Sequence, residues 1–365
     1  MKLLFKEIRH NPMMWLLVFV PLLFVVEHAK PESGMLLFAL SILAIVPLAG
    51  LLSHATESVA AKTGDSVGGL LNATLGNLTE LVIALTALRA GQYMLVKASV
   101  AGAIVTNTLF MLGGSFLVGG FRHHIQPFNS ATARLQSCLL FLATVALLLP
   151  TVVGRIQSAA AAEQTQKLSL SLAVMLIVIY ALGLLFSLKT HREAFGSEAA
   201  HEEGGAEPWP LPLALGTLAG VTVLVALTSE VFVASVEAAS EALGLTDAFV
   251  GFIVVALVGS AAEVASAFSG ARKNRLDLSV GIALGSATQI ALFVAPVLVI
   301  LSYFLGPTPM TLEFWPGAVM MMMVATLTAN MVTVGGRSAW FIGVLVLGVY
   351  LAFAITLYLL PPRGA

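Results

Sequence analysis

Charge is what this sequence has least of. Its 365 residues include 18 Lys and Arg and 19 Asp and Glu, 10% of the chain, against about 25% in soluble domains. With 58% hydrophobic residues and a mean hydropathy of +0.97, runs near the ~20 apolar residues that cross a bilayer recur throughout. A water-soluble core is excluded, and the composition predicts a polytopic all-α membrane protein with the lipid bilayer as its solvent. The net charge of −1 and the lack of any long basic tract exclude a nucleic-acid partner. One cysteine, Cys138, excludes an intrachain disulfide framework and a thiolate metal cluster. Histidines number only seven, and no HExxH or paired-His motif lies within the apolar runs, so an intramembrane enzyme lacks its machinery. The reading is not an enzyme, with no cofactor.

What is there begins with the runs themselves. Breaks at charged, Pro and Gly-rich turns predict eleven helices, at about 13–28, 35–62, 67–89, 93–119, 131–153, 168–189, 210–241, 247–271, 276–305, 311–334 and 338–361. The first is followed by no small-residue cleavage site and reads as a retained helix. With the N-terminus inside, twelve basic residues (Lys2, Lys6, Arg9, Lys62, Arg122, Arg134, Lys189, Arg192, Arg272, Lys273, Arg275 and Arg337) fall at inner ends. Six (Lys30, Arg89, Lys97, Arg155, Lys167 and Arg363) fall at outer ends. That is the bias of cytoplasmic loops. Residues 193–207, acidic, Gly/Ala-rich and containing His201, read as a solvated linker.

Shifting the chain by 183 residues lays Val67–Phe110 over Val250–Phe293 without a gap, with 11 of 44 positions identical. The matches include Gly68/Gly251, Gly76/Gly259, Glu80/Glu263, Arg89/Arg272 and Gly102/Gly285. Allowing for Leu245–Asp247, Glu57 then stands opposite Glu237. In the topology above the two copies start on opposite sides, so the repeat is inverted. The expected organisation is a peripheral helix over 1–32, a five-helix repeat over 33–192, the linker over 193–209 and a second five-helix repeat over 210–365. Inverted repeats with Gly-interrupted helices at matching positions point to a transporter's midplane site.

The polar residues gather at those interruptions. Asn77 and Glu80 in "GNLTE" share a helical face, and Ser260 and Glu263 in "GSAAE" repeat the spacing. The next helices add Asn107, and Ser286 with Gln289. All are oxygen ligands, which suit hard cations such as Ca²⁺. An unpaired carboxylate inside a membrane costs at least ~2.5–3.5 kcal/mol, and no basic residue lies within a helical turn of Glu80 or Glu263. The pair approaches neutrality in two ways, with two protons or with one Ca²⁺. A site neutral in both loaded states crosses between access states cheaply, which is a mechanism for exchange.

Other polar positions read less sharply. Glu57, Glu237 and Glu230 are candidates for proton relay or ion entry. Asp65 and Asp277 each precede an apolar run and read as helix caps, His54 as packed, and His123 and His124 as interface anchors. Met320–Met323 read as lipid-facing or gap-filling, and Gly68, Gly69, Gly102, Gly251 and Gly285 as close helix contacts.

With those residues in place, the chain resembles the calcium/cation–proton exchanger family of the cation/calcium exchanger superfamily over nearly its whole length. "GGLLNATLGNLTELVIALTALRAG" and "VGSAAEVASAFSGARKNRLDLSVGIALGSATQIALFVAP" look like its two signatures, and "PLAGLLSHATESVA" like the helix before the first. The resemblance implies a peripheral first helix, a ten-helix inverted-repeat core, an acidic linker and alternating access. It puts Ca²⁺ or protons in turn on Glu80 and Glu263, with Asn77, Asn107, Ser286 and Gln289 lining the site. Two positions depart from the family pattern: Ser260 stands where the family carries Asn, and Val264 where it carries His. The resulting expectation is a Ca²⁺/H⁺ antiporter exporting cytoplasmic Ca²⁺, multi-pass in a bacterial inner membrane, N-terminus cytoplasmic. A homo-oligomer is left open. The rivals are an exchanger that uses Na⁺ as counter-ion or carries Mn²⁺, and a passive cation channel.

Overall fold

The computed structural model describes residues 11–154, 161–190 and 208–359. The 193–207 linker with His201, and Lys2, Lys6, Arg9, Arg155, Arg192 and Arg363, lie outside the described residues. Helix dominates. In chain order the crossing elements are α1 (Pro12–Ala29), α2 (Gly34–Lys62), α3a (Asp65–Leu75) with α3b (Leu78–Arg89), α4 (Tyr93–His123), α5 (Ser130–Val153) and α6 (Ala162–Thr190). The second set is α7 (Leu211–Leu243), α8a (Asp247–Gly259) with α8b (Ala261–Arg272), α9 (Leu276–Leu305), α10 (Pro316–Thr333) and α11 (Trp340–Leu359). The expected spans hold to within a few residues, with two shifts. The sixth starts well before Leu168, and the tenth starts at Pro316 rather than 311, because proline suits a first helical turn but not its interior.

Among the described residues nine helices are long and apolar enough to cross a membrane alone, and α3 and α8 are bent pairs, by 40° and 58°. Hydrogen bonds between distant segments decide whether the bent pairs also cross. Short strands β1 (Ile125–Pro127) and β2 (Arg337–Ala339) pair antiparallel, and Gln126 Nε2 donates to the Ala271 carbonyl at 2.9 Å. The ends of α4, α8b and α10 therefore share one side. The Trp209 N–H donates to Ser58 Oγ at 3.1 Å, so the end of α2 joins the start of α7 there, two crossings after β1. Between the ends of α2 and α4 the chain must cross twice, so α3 crosses; between α7 and Arg272 the same reasoning makes α8 cross. On the opposite side Tyr93 Oη donates to the Thr308 carbonyl at 2.5 Å, and the Leu312 and Phe314 N–H groups donate to Ser169 Oγ and Thr151 Oγ1, both at 3.0 Å. Eleven crossings satisfy every bond. Each half, α2–α6 and α7–α11, has five, so the copies are inverted.

α1 packs on the outer face of α2, as a peripheral helix does. The halves meet along α2 and α7, and α4 and α9 run through the centre, buried along most of their lengths. Both central helices widen into a π-helical turn at matching places, Thr106–Met111 and Ile290–Val294, a distortion common where helices carry function. The β1–β2 pair was not foreseen; three-residue strands leave no periodicity to read.

Candidate functional site

The two breaks set the site. Helix α3a ends at Gly76 and α8a at Gly259, and α3b and α8b restart one or two residues later. Glycine is a poor helix former, but the packing makes the requirement stricter. A Cβ on Gly259 would sit 3.0 Å from Glu80 Cγ, and one on Gly76 would sit 2.6 Å from the Asn72 carbonyl and 3.2 Å from Gln289 Oε1. Each break is thus overlaid by a polar side chain of the opposite half. Glu80 and Glu263 both fall in the first turn of their restarted helices, where the positive end of the helix dipole favours an anion.

Seven of the sequence-selected residues converge here. Asn107 Nδ2 donates to Ser286 Oγ at 2.8 Å, and Ser286 Oγ donates to Asn77 Oδ1 at 2.7 Å, a chain that ties the central helices to the first break. Ser260 Oγ donates to Glu80 Oε1 at 3.3 Å across the halves. Gln289 lies over Gly76, and Glu80 and Glu263 line one cavity. Four buried polar atoms in this cluster lack a hydrogen-bond partner: Glu263 Oε2, Asn107 Oδ1, Asn77 Nδ2 and Gln289 Nε2. A buried unpaired polar atom costs roughly 1–3 kcal/mol. Oxygens with free lone pairs beside two carboxylates form a set that a hard cation would complete. Among the described residues no group of three or more His, Cys, Asp and Glu is placed to hold a metal, so any such ion has two carboxylates and otherwise neutral oxygens.

The linings on the two sides of this cluster differ. A small cavity on the β1–β2 side touches both carboxylates and is lined also by Ser53 and Thr79. On the opposite side a small cavity touches Glu80 alone among the acids and is otherwise lined mostly by apolar groups such as Ile83, Val100 and Ile290. Helix crossings agree. Gly102 of α4 lies so close to the Phe252 backbone that a Cβ would strike it, and a Cβ on Gly251 would lie 2.6 Å from Ala98 Cβ. At the repeat-equivalent crossing, a Cβ on Gly285 of α9 would meet nothing within 4 Å. The α4–α8a seam is shut and the α9–α3a seam is parted. The expectation that all five glycines are close helix contacts therefore fails at Gly285, because this seam is open.

The remaining candidates lie apart. Glu57 is exposed on α2 and accepts from Ser53 Oγ at 3.3 Å, which connects it to the cavity mouth. Glu230 and Glu237 are exposed on α7 and line neither cavity. Asp277 does not cap its own helix: it accepts the Asn129 N–H of the α4–α5 turn. Asp65 is the first residue of α3a. His54 packs at a tilt against buried Trp209, centroids 4.4 Å apart, and His123 Nε2 meets the Arg272 carbonyl at 3.0 Å. Met322 is buried and Met320 exposed, so the Met run serves both readings. Sequence reasoning missed Ser53 and Thr79 as lining residues, and missed Tyr180 and Tyr350. Of five tyrosines, these two lie mid-helix rather than at a helix end, a signal that was available.

Paired broken helices from inverted halves, each delivering a buried carboxylate to one cavity, define a membrane cation exchanger. The chain belongs to the sodium/calcium exchanger protein family, which matches residues 33–189 and 213–359. It is 40% identical to a Ca(2+)/H(+) antiporter of Aphanothece halophytica, over 95% of this chain and 96% of that one. Likewise it is 40% identical to the Ca(2+)/H(+) antiporter ChaA of Bacillus subtilis, over 89% and 92%. The solved structure of native YfkE superposes with a TM-score of 0.82 at 36% identity, covering 95% of this chain and all of that one. The fold is also that of the crystal structure of the H⁺/Ca²⁺ exchanger CAX, with a TM-score of 0.73 at 15% identity over 96% of this chain and 88% of that one.

Proposed function

We propose that this protein is a Ca²⁺/H⁺ antiporter working by alternating access, in which Glu80 and Glu263 hold Ca²⁺ or protons in turn. One observation supports the reading: two carboxylates from inverted halves share one polar cluster, with a small cavity touching both of them on the β1–β2 side. Asn77, Ser260, Asn107, Ser286 and Gln289 complete the ligand set with neutral oxygens, which suit Ca²⁺ as a hard cation. Two buried carboxylates carry no net burden when one divalent ion or two protons occupy them, so the same site moves loaded in both directions. The relatives named Ca(2+)/H(+) antiporters support these ions as the pair.

Direction follows from charge. The open side carries Lys62, Arg122, Arg134, Lys189, Arg272, Lys273, Arg275 and Arg337, the other side Lys30, Arg89, Lys97 and Lys167. By the positive-inside rule the open side is cytoplasmic, so the state described is one that takes up cytoplasmic Ca²⁺ and delivers protons. Glu57 draws the cation to the inner mouth. Its equivalent Glu237, with Glu230, serves the outer approach in the opposite state. The test is ⁴⁵Ca²⁺ uptake into everted bacterial inner-membrane vesicles under an imposed proton gradient. Uptake that collapses with the proton gradient and resists a Na⁺ gradient is expected. Uptake driven by Na⁺, or a flux indifferent to both gradients, would overturn the reading in favour of Na⁺ exchange or a channel; competition by Mn²⁺ at lower concentration than Ca²⁺ would reassign the substrate.

A further inference from the structure

The two mid-helix tyrosines occupy equivalent places in the repeat yet bond to different things. Tyr180 of α6 packs on Phe293, centroids 5.7 Å apart, and Tyr350 of α11 packs on Phe110, 5.4 Å apart. Phe110 and Phe293 match in the 183-residue shift, so the two pairs are the same contact seen in each half. The hydroxyls differ. Tyr180 Oη donates to the Ala73 carbonyl at 2.5 Å, whereas Tyr350 Oη meets Thr106 Oγ1 at 3.4 Å.

Under the same shift Ala73 corresponds to Ala256, and Thr106 to Gln289. Each tyrosine thus has two candidate hydrogen-bond partners: a backbone carbonyl at its own half's helix break, and a polar side chain on the other half's central helix. Ala256 is engaged by its helical partner, the Ser260 N–H, at 3.1 Å. Gln289 Nε2 is buried without a partner. The choice tracks the seams. The α3a helix, parted from α9, leans on α6, with Gly69 against Leu188 and Ala73 on the Tyr180 hydroxyl. The α8a helix, pressed on α4 at Gly102, leaves Tyr350 to Thr106.

We propose that Tyr180 and Tyr350 are positioning residues that catch the parted half-helix, each in one access state. When the molecule opens to the other side, Tyr350 takes the Ala256 carbonyl, and Tyr180 releases Ala73 and accepts from Gln289 Nε2. A phenol suits this work in a dry helix interface: its ring stays packed while its hydroxyl, both donor and acceptor, exchanges one partner for another.

The inference rests on alternating access, and the test separates the two. In a Cys138→Ala background, Ser53→Cys reports the open-side cavity and Ser99→Cys the opposite one. If a saturating Ca²⁺ or proton load fails to move their labelling by impermeant thiol reagents in opposite directions, alternating access itself fails. Given that parent behaviour, Tyr180→Phe should lower the Ser53-to-Ser99 labelling ratio and Tyr350→Phe should raise it, each by about two- to threefold, the excess of the bond to the half-helix carbonyl over the bond to the opposite side chain. Shifts in the same direction, or none, would overturn the catch while leaving exchange intact. Should either variant insert poorly, 3-fluorotyrosine at 180 keeps the hydroxyl and reports by ¹⁹F NMR. Two resonances whose populations follow the Ca²⁺ load support the exchange of partners, and one invariant resonance overturns it.

Discussion

The first helix break is tied to both central helices, and the second only to the carboxylate of the first. Asn77 extends to Ser286 and through it to Asn107, so the first break is tied to both central helices. Ser260, one carbon shorter and without an amide, reaches only Glu80, at 3.3 Å. Glu263 is left with a buried, unpartnered Oε2. Equivalent positions have therefore divided the work: one break anchors, the other leaves a carboxylate oxygen without a partner. Side-chain length contributes to the difference, as does the sharper bend of the second break.

The largest effect should come from removing the charge common to both breaks. Glu80→Gln and Glu263→Gln should each abolish proton-driven ⁴⁵Ca²⁺ uptake while purified protein keeps its size-exclusion profile, because one carboxylate cannot balance a divalent ion and Gln mimics the protonated side chain. Substantial exchange by either variant would end the paired-carboxylate site. The seams come next. Gly285→Ala meets open space in the state described and should fold normally, yet hinder closure of the α9–α3a seam. Turnover should fall by roughly tenfold or more, the worth of a modest overpacking penalty, with labelling at Ser53→Cys preserved. Gly102→Ala strikes the Phe252 backbone and should bias labelling toward Ser99→Cys. Identical behaviour of the two alanines would erase the distinction between shut and parted seams.

Smaller changes address the asymmetry of the breaks directly. Ser260→Asn makes the second break resemble the first and should shift apparent Ca²⁺ affinity about three- to tenfold, as one gained or lost hydrogen bond allows; half-saturation of uptake measures it. Smallest of all, Val264→His should move the pH–rate profile by up to about one unit and leave the maximal rate nearly unchanged, because an imidazole next to Glu263 in the chain titrates near pH 6.5. Val264 packs against an apolar cluster that includes Met111, Leu112 and Phe116, which limits how closely the ring can approach the carboxylates. An unmoved profile would show that this position does not communicate with the site.

Much of the molecule was readable before any coordinates. In lipid every backbone group must be satisfied within its own helix, so span length, the two Gly-marked interruptions and the costly Glu80 and Glu263 are local statements that sequence carries directly. Inversion followed from counting, and the bonds from β1 to Ala271 and from Trp209 to Ser58 satisfy the same count. Partnerships between residues 107 to 244 positions apart were not readable. That Ser286 sits between Asn107 and Asn77, that Asp277 serves another turn rather than its own helix, and that Tyr180 holds a carbonyl while Tyr350 does not, all depend on how helices are placed relative to one another. Gly102 and Gly285 show the limit most simply. They are the same residue in the same repeat position, one jammed against backbone and the other facing space. The sequence determined where two seams can close, and only the tertiary structure decided which one is closed, because both arrangements bury the same helices and differ in a few contacts across the pseudo-symmetric centre.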